Sequence, residues 1–241
     1  MSEKYWLERT ELLVGAESLG KLTKANVLIV GLGGVGSFAA EFICRAGVGN
    51  LTIIDGDTVD ITNKNRQLPA LSSTVGLSKA AVMQARMLDI NPDLNLKVID
   101  TFQSPDDTIA LIRNNRYDYV MDCIDSVSPK IYLIKTCVDL NQRLISSMGA
   151  GGKVNASTVK VADIQKTYNC PFARTVRKRL KKLKIYKGFK TVFNHGDLLR
   201  ESLRLTDGSN YKKSFYGTIS YMPALFGLRM AGEVIQDLMQ D

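Results

Sequence analysis

The stretch NVLIVGLGGVG, residues 26–36, decides the fold of this 241-residue chain. Residues 27–30 are apolar and mostly β-branched, which predicts a buried parallel strand. A glycine-rich turn follows, and we expect an apolar helix from Phe38 to Ala46. The turn contains four glycines: Gly31, Gly33, Gly34 and Gly36. Because glycine permits a tight turn and a close backbone approach to phosphate, the stretch predicts a nucleotide site at the start of a helix.

The second strand supports the same interpretation. It runs from Leu51 to Asp55, which places a carboxylate at the spacing expected for a partner of a ribose hydroxyl. We expect a helix over residues 74–90, a helix capped by Ser104 at its start, and a mobile loop over residues 197–214. Strands and helices alternate along the rest of the chain without repeats. This pattern predicts an α/β fold that is Rossmann-like, with a doubly wound, mostly parallel sheet, helices on both faces and a C-terminal extension. We expect one domain over residues 1–241, with a nucleotide-binding half at about 1–150 and a substrate-binding half at about 151–241.

A further set of polar residues favours phosphate chemistry over hydride transfer. Arg66 and Lys79 follow where the phosphates of a nucleotide would lie, and cations there neutralise charge on a triphosphate under attack. Asp122 and Asp125 end an apolar strand, at the sheet edge where open α/β folds bind ligands. A carboxylate at that edge suits Mg²⁺. The single histidine, His195, is far from the strand ends, so an NAD-dependent dehydrogenase is the weaker alternative.

The net charge of +8 comes from one segment. Residues 166–190 hold ten basic residues and no acidic one. On a helix, Val176, Leu180 and Leu183 would share an apolar face. Five cations would share another face: Arg174, Arg177, Lys178, Lys181 and Lys182. Such a helix is typical of polyanion binding, while a solvated basic face and an anionic membrane surface are the alternatives.

Composition bounds the cellular setting. The four cysteines have no paired spacing, which argues against a disulfide framework and structural zinc and favours a reducing compartment. Cys44, Cys123 and Cys137 lie in apolar segments and are expected to be buried. Cys170 lies beside a basic stretch that would lower its pKa, but we expect no role for it. The polar N-terminus does not resemble a signal peptide. Residues 222–238 are apolar-rich but carry a regular charged stripe, which predicts a packed amphipathic helix and no membrane span. We therefore expect a soluble, cytoplasmic protein.

Residues from Arg9 to about Lys166 resemble the ubiquitin-activating-type adenylyltransferase superfamily, whose bacterial members activate a carboxylate with ATP. The matching features are Arg9, the glycine turn, Asp55-Gly56-Asp57, Asn63 with Arg66-Gln67, Thr74-Val75-Gly76 before Lys79, Asn91-Pro92, and Asp122-Cys123-Ile124-Asp125. Within that superfamily the chain is most similar to the tRNA threonylcarbamoyladenosine dehydratases. The narrower similarity is carried by residues 9–15, 147–153, 161–164, 171–174, 220–221 and 223–228. The chain departs from that pattern at 155–157 and Cys170, and it lacks the superfamily's zinc-binding cysteine pairs.

The resemblance implies ATP and Mg²⁺ as cofactors and assigns roles to individual residues. The nucleotide is bound by the four turn glycines together with Asp55, Asp57, Asn63, Arg66, Lys79 and Asp125. Asp55 holds the ribose, Asn63, Arg66 and Lys79 hold the phosphates, and Asp125 is the metal residue. The implied catalytic residues are Arg66, Lys79, Asp125 and Arg9. Arg9 acts in the site of a neighbouring subunit, which implies a homodimer.

The resemblance further implies the reaction. The expected activity is ATP-dependent dehydration of threonylcarbamoyladenosine in tRNA through an acyl-adenylate, which gives the cyclic form of the modified base. The basic helix face would then bind tRNA, and a cysteine desulfurase or sulfur-acceptor protein is a further expected partner. Two alternatives remain besides the dehydrogenase. One is adenylation of the C-terminus of a ubiquitin-like sulfur carrier, and the other is a non-catalytic tRNA-binding scaffold.

Overall fold

The computed structural model describes residues 5–205 and 214–240. Seven strands form one sheet: β1 (Asn26–Val30), β2 (Asn50–Ile54), β3 (Asn95–Ile99), β4 (Tyr119–Asp122), β5 (Leu144–Ser147), β6 (Val159–Asp163) and β7 (Lys190–Asn194). Two short strands pair separately: β8 (Leu203–Leu205) and β9 (Ser214–Tyr216). The helices are α1 (Glu8–Lys24), α2 (Gly36–Arg45), α3 (Lys79–Ile90), α4 (Pro105–Asn114), α5 (Val127–Asp139), α6 (Pro171–Lys182) and α7 (Tyr221–Gln240).

The order of the strands confirms the predicted Rossmann-like fold. It is β3-β2-β1-β4-β5-β7-β6, and every neighbouring pair is parallel except β6 with β7. The order reverses between β1 and β4, where Val30 pairs with Ile54 on one side and with Asp122 on the other. In open α/β sheets the loops above such a switch point form the ligand-binding crevice. The fold therefore places the glycine turn after β1 at the edge of that crevice.

The core lies on both faces of the sheet. In β1 the side chains of Val27 and Ile29 join one hydrophobic cluster, while Leu28 joins the other. Helices α2, α3 and α7 cover the first face, and α4, α5 and α6 cover the second. Because successive strand side chains point to opposite faces, a strand that is apolar throughout needs helices on both sides. The predicted helices on both faces are confirmed.

The C-terminal helix α7 packs tightly on α2. Its buried residues include Phe226, Met230 and Val234, and a side chain at Gly227 would come within 2.4 Å of the Val35 carbonyl oxygen. This confirms the amphipathic helix expected for residues 222–238. Over residues 5–205 and 214–240, we find no helix with the length and apolar character that crossing a membrane requires.

Two expected elements differ from the structure. The pattern predicted a helix from Thr74, but α3 begins at Lys79, because residues 57–59 pair with residues 76–79 through backbone hydrogen bonds. The pattern also predicted a mobile loop over residues 197–214. The structure has a 3₁₀ turn at Arg200–Ser202 and the strand β8 there, and residues 206–213 of that stretch lie outside the described residues.

The cysteines are unpaired and buried, as their apolar surroundings predicted for three of them. The four are Cys44, Cys123, Cys137 and Cys170. Burial raises the pKa of Cys44 to about 11, and it also raises the pKa of the other three thiols. For Cys170 the desolvation outweighs the neighbouring cations, so the basic stretch does not make this thiol reactive.

Candidate active site

A cavity of about 1010 Å³ opens at the carboxyl ends of β1, β2, β4 and β5, and we call it the large cavity. It brings together eight residues that the sequence singled out: Gly31, Gly33, Gly34, Asp55, Asp57, Arg66, Lys79 and Asp125. Its volume matches the upper end of the usual range for small-molecule sites, about 300–1,000 Å³. Three other candidates lie outside its lining: Gly36, Asn63 and Arg9.

The glycine turn is tight enough to exclude side chains. Gly31 has a φ of 91° and donates its N–H to the Ile54 carbonyl oxygen over 2.8 Å. A Cβ atom at Gly36 would lie 1.7 Å from the Gly31 carbonyl oxygen, so Gly36 shapes the turn from beneath. At Gly33, by contrast, a Cβ would meet only the Gln67 side chain, at 3.7 Å or more. Gly33 therefore faces open cavity, as expected of a residue that leaves room for a phosphate.

Replacing Gly36 by alanine is expected to destabilise the protein by about 1–3 kcal/mol, because the turn must shift to admit the methyl group. Gly232→Ala is the matched control, since Gly232 lies within α7 and a Cβ there meets nothing within 4 Å. That control is expected to be neutral or stabilising by up to ~1 kcal/mol. Urea unfolding measures both, and equal stabilities for the two variants would contradict the assigned clash.

Asp55 joins the second strand to the turn. One carboxylate oxygen accepts the Leu32 N–H at 2.6 Å, and the other accepts the Asp57 N–H at 2.8 Å. Burial raises the pKa of Asp55, and the charge of Lys79 and these two N–H donors oppose that rise. Each oxygen keeps a further acceptor position. Asp55 can therefore fix the turn and still accept a hydroxyl donor from a ligand in the cavity.

Lys79 reaches the cavity from the first residue of α3. Its ammonium contacts Asp57 Oδ2 at 3.0 Å, and its side chain is only 6% exposed. The Lys79 N–H also donates to the Asp57 carbonyl oxygen, so backbone and side chain both hold these residues together. A lysine so positioned presents a point charge to a phosphate without a search among rotamers.

Arg66 enters from the turn that follows the 3₁₀ helix Ile61–Asn63. Its Nη1 donates to the Thr62 carbonyl oxygen at 2.9 Å and to Asn65 Oδ1 at 2.8 Å, which fixes the side chain. Burial lowers the pKa of Arg66, and the charges of Asp125 and Asp60 counteract this effect. Arg66 and Asp125 thus form the charged rim of one site.

Asn63 supports this turn from below. It is buried, and its Oδ1 accepts the Asp60 N–H at 3.2 Å as half of a capping box. The structure therefore places Asn63 beneath Arg66 and not on the cavity wall. Arg9 is an exposed residue on the first turn of α1 and does not line the cavity either.

The two carboxylates after β4 have different environments. Asp122 is fully buried, and its Oδ2 contacts Lys130 Nζ at 2.7 Å and accepts the Ser146 hydroxyl at 2.6 Å. Asp122 is thus taken up by its buried partners, and Asp125, the residue named for the metal, is the carboxylate of the two that lines the large cavity. Asp125 lines the cavity and accepts a hydrogen bond from Ser126 Oγ at 3.4 Å.

Magnesium fits this site only in combination with phosphate. Among the described residues, no group of three or more histidine, cysteine or acidic side chains could hold a metal ion by itself. Mg²⁺ is usually held by one or two carboxylates together with substrate phosphates and water, and Asp125 supplies one such carboxylate at this cavity.

Gln67 also lines the cavity, and its Oε1 is buried with no hydrogen-bond partner among the described residues. That orphaned acceptor suits a donor brought by a ligand.

Sequence reasoning missed several residues of the site. Lys130, the buried partner of Asp122, gave no signal beyond being one of two cations in a largely apolar helix, eight residues after Asp122. Phe102 and Tyr132 also line the cavity and supply its aromatic wall. Phe102 could have been found, because it follows β3 at the same sheet edge. His195 directly follows β7, so the expectation that it lies far from the strand ends is wrong. It packs against the Tyr168 ring, with centroids 4.9 Å apart, and does not line the large cavity.

The basic segment forms the helix that its pattern predicted, with one difference. Val176 and Leu180 are buried, but Leu183 is 40% exposed because α6 ends at Lys182. Four of the five predicted cations are exposed: Arg174, Lys178, Lys181 and Lys182. The fifth, Arg177, is half-buried and donates to the Thr167 carbonyl oxygen at 2.9 Å. The first turn of α6 also carries Phe172, which lines the large cavity.

A family model, a sequence relative and solved structures each match this chain over nearly its whole length. The sequence pattern of the ThiF family matches residues 7–241. The chain is 40% identical to a tRNA threonylcarbamoyladenosine dehydratase of Bacillus subtilis over 240 residues, which cover 97% of this chain and 94% of that protein. Two crystal structures of the Escherichia coli tRNA N6-threonylcarbamoyladenosine dehydratase, one in complex with ATP and one with AMP, superpose with a TM-score of 0.86. Each is 36% identical and covers 96% of this chain and 93% of the other.

Proposed function

Because the chain belongs to the ThiF family, we propose that it is an ATP-dependent dehydratase of threonylcarbamoyladenosine in tRNA. The enzyme activates the carboxylate of the threonylcarbamoyl group and then closes a ring on it. One observation carries this proposal: two cations and three carboxylates line the cavity at the open face of the glycine turn, a set that suits a triphosphate bound together with Mg²⁺. The ATP-bound and AMP-bound relatives of the same fold support the nucleotide assignment.

The first step joins the substrate carboxylate to the α-phosphate of ATP and releases pyrophosphate, which gives an acyl-adenylate. Arg66 and Lys79 offset the charge that builds on the phosphates during this attack. Asp55 orients the nucleotide through its ribose, and Asp57 holds Lys79 in place. Asp125 would hold Mg²⁺, which when bound supplies further charge neutralisation at the phosphates.

The second step needs little from the protein. The neighbouring carbamoyl oxygen attacks the activated carbonyl, AMP leaves, and a five-membered ring closes with net loss of one water. Because nucleophile and electrophile belong to one substituent, their proximity supplies much of the rate enhancement. This agrees with the structure, in which all four cysteines are buried and His195 lies outside the lining of the large cavity.

The test is to incubate the protein with ATP, Mg²⁺ and tRNA that carries threonylcarbamoyladenosine. Nucleoside mass spectrometry should show the loss of one water from that base, together with release of pyrophosphate and AMP. No mass change, accompanied by pyrophosphate exchange that depends on a ubiquitin-like carrier protein, would contradict the proposal in favour of carrier adenylation. Tight NAD binding without any response to ATP would contradict it in favour of a dehydrogenase.

We assign tRNA docking to the exposed face of α6. Its outward cations are arranged along one side, while Val176 and Leu180 anchor the other side in the core. Such a face positions a phosphate backbone and reads no bases. In this arrangement most residues of the nucleotide site precede residue 150, and the tRNA-binding face of α6 follows it.

Removing the charge of this face is expected to weaken tRNA binding and to make the binding less dependent on salt. The variant replaces four residues with glutamine: Arg174, Lys178, Lys181 and Lys182. Each cation that no longer neutralises a phosphate lowers the slope of log affinity against log salt by about 0.7–0.9, so the slope should fall by roughly 3. Filter binding at several salt concentrations measures this slope, and the affinity for ATP should stay unchanged.

The matched control removes the same number of exposed cations elsewhere. It replaces Lys24, Lys97, Arg113 and Arg116 with glutamine. This control changes net charge equally but leaves α6 intact, so its salt slope should resemble that of the wild type. Equal slopes for the two variants would show that α6 is a solvated surface with no role in docking.

We also propose a homodimer in which Arg9 completes the site of the partner. Arg9 lies on the first turn of α1, beside Leu12 and Leu13, which are 82% and 85% exposed. Adjacent exposed leucines of this kind often mark a protein interface.

A tRNA substrate and unpaired cysteines fit a reducing cytoplasm. A cysteine desulfurase or sulfur-acceptor protein remains a proposed partner, to be tested by co-purification.

A further inference from the structure

A second cavity, of about 440 Å³, lies next to the large cavity, and we call it the small cavity. Thr218 lines both cavities. Asn65, which lines the small cavity, donates its amide N–H to the Thr218 carbonyl oxygen at 2.9 Å. The amide oxygen of Asn65 accepts from Arg66 at 2.8 Å. The wall between the cavities is therefore tied directly to a cation of the nucleotide site.

The lining of the small cavity is mixed in character. Three side chains contribute hydroxyl groups: Ser202, Thr218 and Ser220. Three others contribute apolar surface: Val154, Leu199 and Ile219. Hydroxyls can donate or accept, and apolar side chains contact flat ring faces. This combination suits a planar group with apolar faces and a polar edge, as a nucleobase presents when it is turned out of its strand.

The small cavity also carries a cation. Lys153 lines it, is 4% exposed, and donates from its ammonium to the Gly196 carbonyl oxygen. An ammonium group has three donors, so Lys153 can hold this carbonyl and an anion together. Burial lowers the pKa of Lys153. A partly desolvated ammonium favours an anionic neighbour such as a carboxylate or a backbone phosphate.

The proposed reaction requires the nucleoside and the nucleotide to bind side by side, and the two cavities are adjacent. The substrate carboxylate must approach the α-phosphate to about 3–3.5 Å before attack, so the nucleoside must sit directly beside the nucleotide. The small cavity shares a wall with the large one, and α6 sends Phe172 into the large cavity from the same half of the chain. Lys153 of the small cavity also interacts electrostatically with Cys170, the residue that precedes α6. The start of α6 therefore lies near the small cavity.

We infer that the small cavity binds the modified nucleoside of the tRNA, whose carboxylate enters the large cavity at Thr218. This assignment rests on the proposed dehydratase function, because only adenylation of that carboxylate requires the two ligands to touch. Asn65 then acts as a positioning residue that couples Arg66 to the substrate side of the wall.

The test fills the small cavity from two places in the chain. Ile219→Trp and Leu199→Trp each introduce an indole ring at a residue that is 41% exposed. Both variants are expected to raise KM for the modified tRNA about tenfold or more, with KM for ATP unchanged. Leu228→Trp is the matched control, because Leu228 is 44% exposed on α7 and lines neither cavity. It should behave as the wild type does.

A direct readout does not depend on kinetics. A photoreactive benzophenone amino acid at position 219 should crosslink to the modified nucleoside, whereas the same amino acid at position 228 should give no such product. Wild-type dehydration with unchanged KM in both filling variants, or crosslinks only to distant nucleotides, would overturn the cavity assignment alone. Absence of dehydration by the wild type would overturn the proposed function itself, so the two failures are distinguishable.

Discussion

Arg66→Ala is expected to lower the rate of pyrophosphate formation about a hundred- to a thousand-fold, which corresponds to about 2.7–4 kcal/mol of transition-state stabilisation. Arg66 is held in place by Thr62 and Asn65, and it lies near Asp125 on the cavity rim. A fixed cation of this kind costs no reorganisation when charge develops on the phosphates. The loss should therefore appear mainly in kcat, with a smaller change in ATP affinity.

Lys64→Ala is the matched control for Arg66. Lys64 is an exposed cation of the same turn, and its ammonium contacts Ser72 Oγ at 2.7 Å, outside the cavity lining. Removing it changes net charge as Arg66→Ala does but leaves the site intact, so activity should fall less than about twofold. A pyrophosphate-release assay compares the two variants. Similar activities would mean that Arg66 acts only through overall charge.

Lys130→Met is expected to destabilise the protein by about 3–5 kcal/mol, because it leaves the Asp122 carboxylate buried without its cation. Both side chains of this pair have no exposed surface, and Ser146 is the remaining side-chain donor to Asp122. Urea unfolding gives the free energy. The second variant, Asp122→Asn with Lys130→Met, removes both charges and should recover part of the loss.

The same helix provides the control for the buried pair. Lys135 and Asp139 form an exposed pair on α5, and the Lys135 side chain is 43% exposed. Since solvent-exposed pairs contribute about 0–1 kcal/mol, Lys135→Met should change stability by less than ~1 kcal/mol. If Lys130→Met lowered the free energy of unfolding no more than this control does, the result would contradict a stabilising role of the buried pair at the end of β4.

Local patterns in the sequence were sufficient for much of the fold. The glycine turn after β1 and the capped start of α4 at Ser104 depend on neighbouring residues alone, and the structure has both. The start of α3 could not be predicted from neighbouring residues alone. Residues 76–79 pair with residues 57–59, which lie far away in sequence, and that pairing replaces the helix expected from Thr74.

The same distinction applies to the site. Asp55 and Asp125 were identifiable because each comes just after a strand at the carboxyl edge of the sheet. Arg66 and Lys79 were identifiable as cations in the segment after β2, where the phosphates of a nucleotide would lie. The burial of Asp122 depends on Lys130 and Ser146 from two other elements, which no spacing rule signals. The small cavity is built from segments around residues 65, 153, 199 and 218, so only the folded chain reveals it.

The buried cysteines limit what a sulfur-handling partner could do here. Transfer of a sulfane sulfur begins with a thiolate that the donor protein can touch. All four thiols of this chain are covered, and each has a raised pKa. Formation of a persulfide on this chain is therefore disfavoured as long as these thiols stay buried and protonated. If a desulfurase binds this chain, we expect no transfer of sulfur from the desulfurase to the cysteines of this chain.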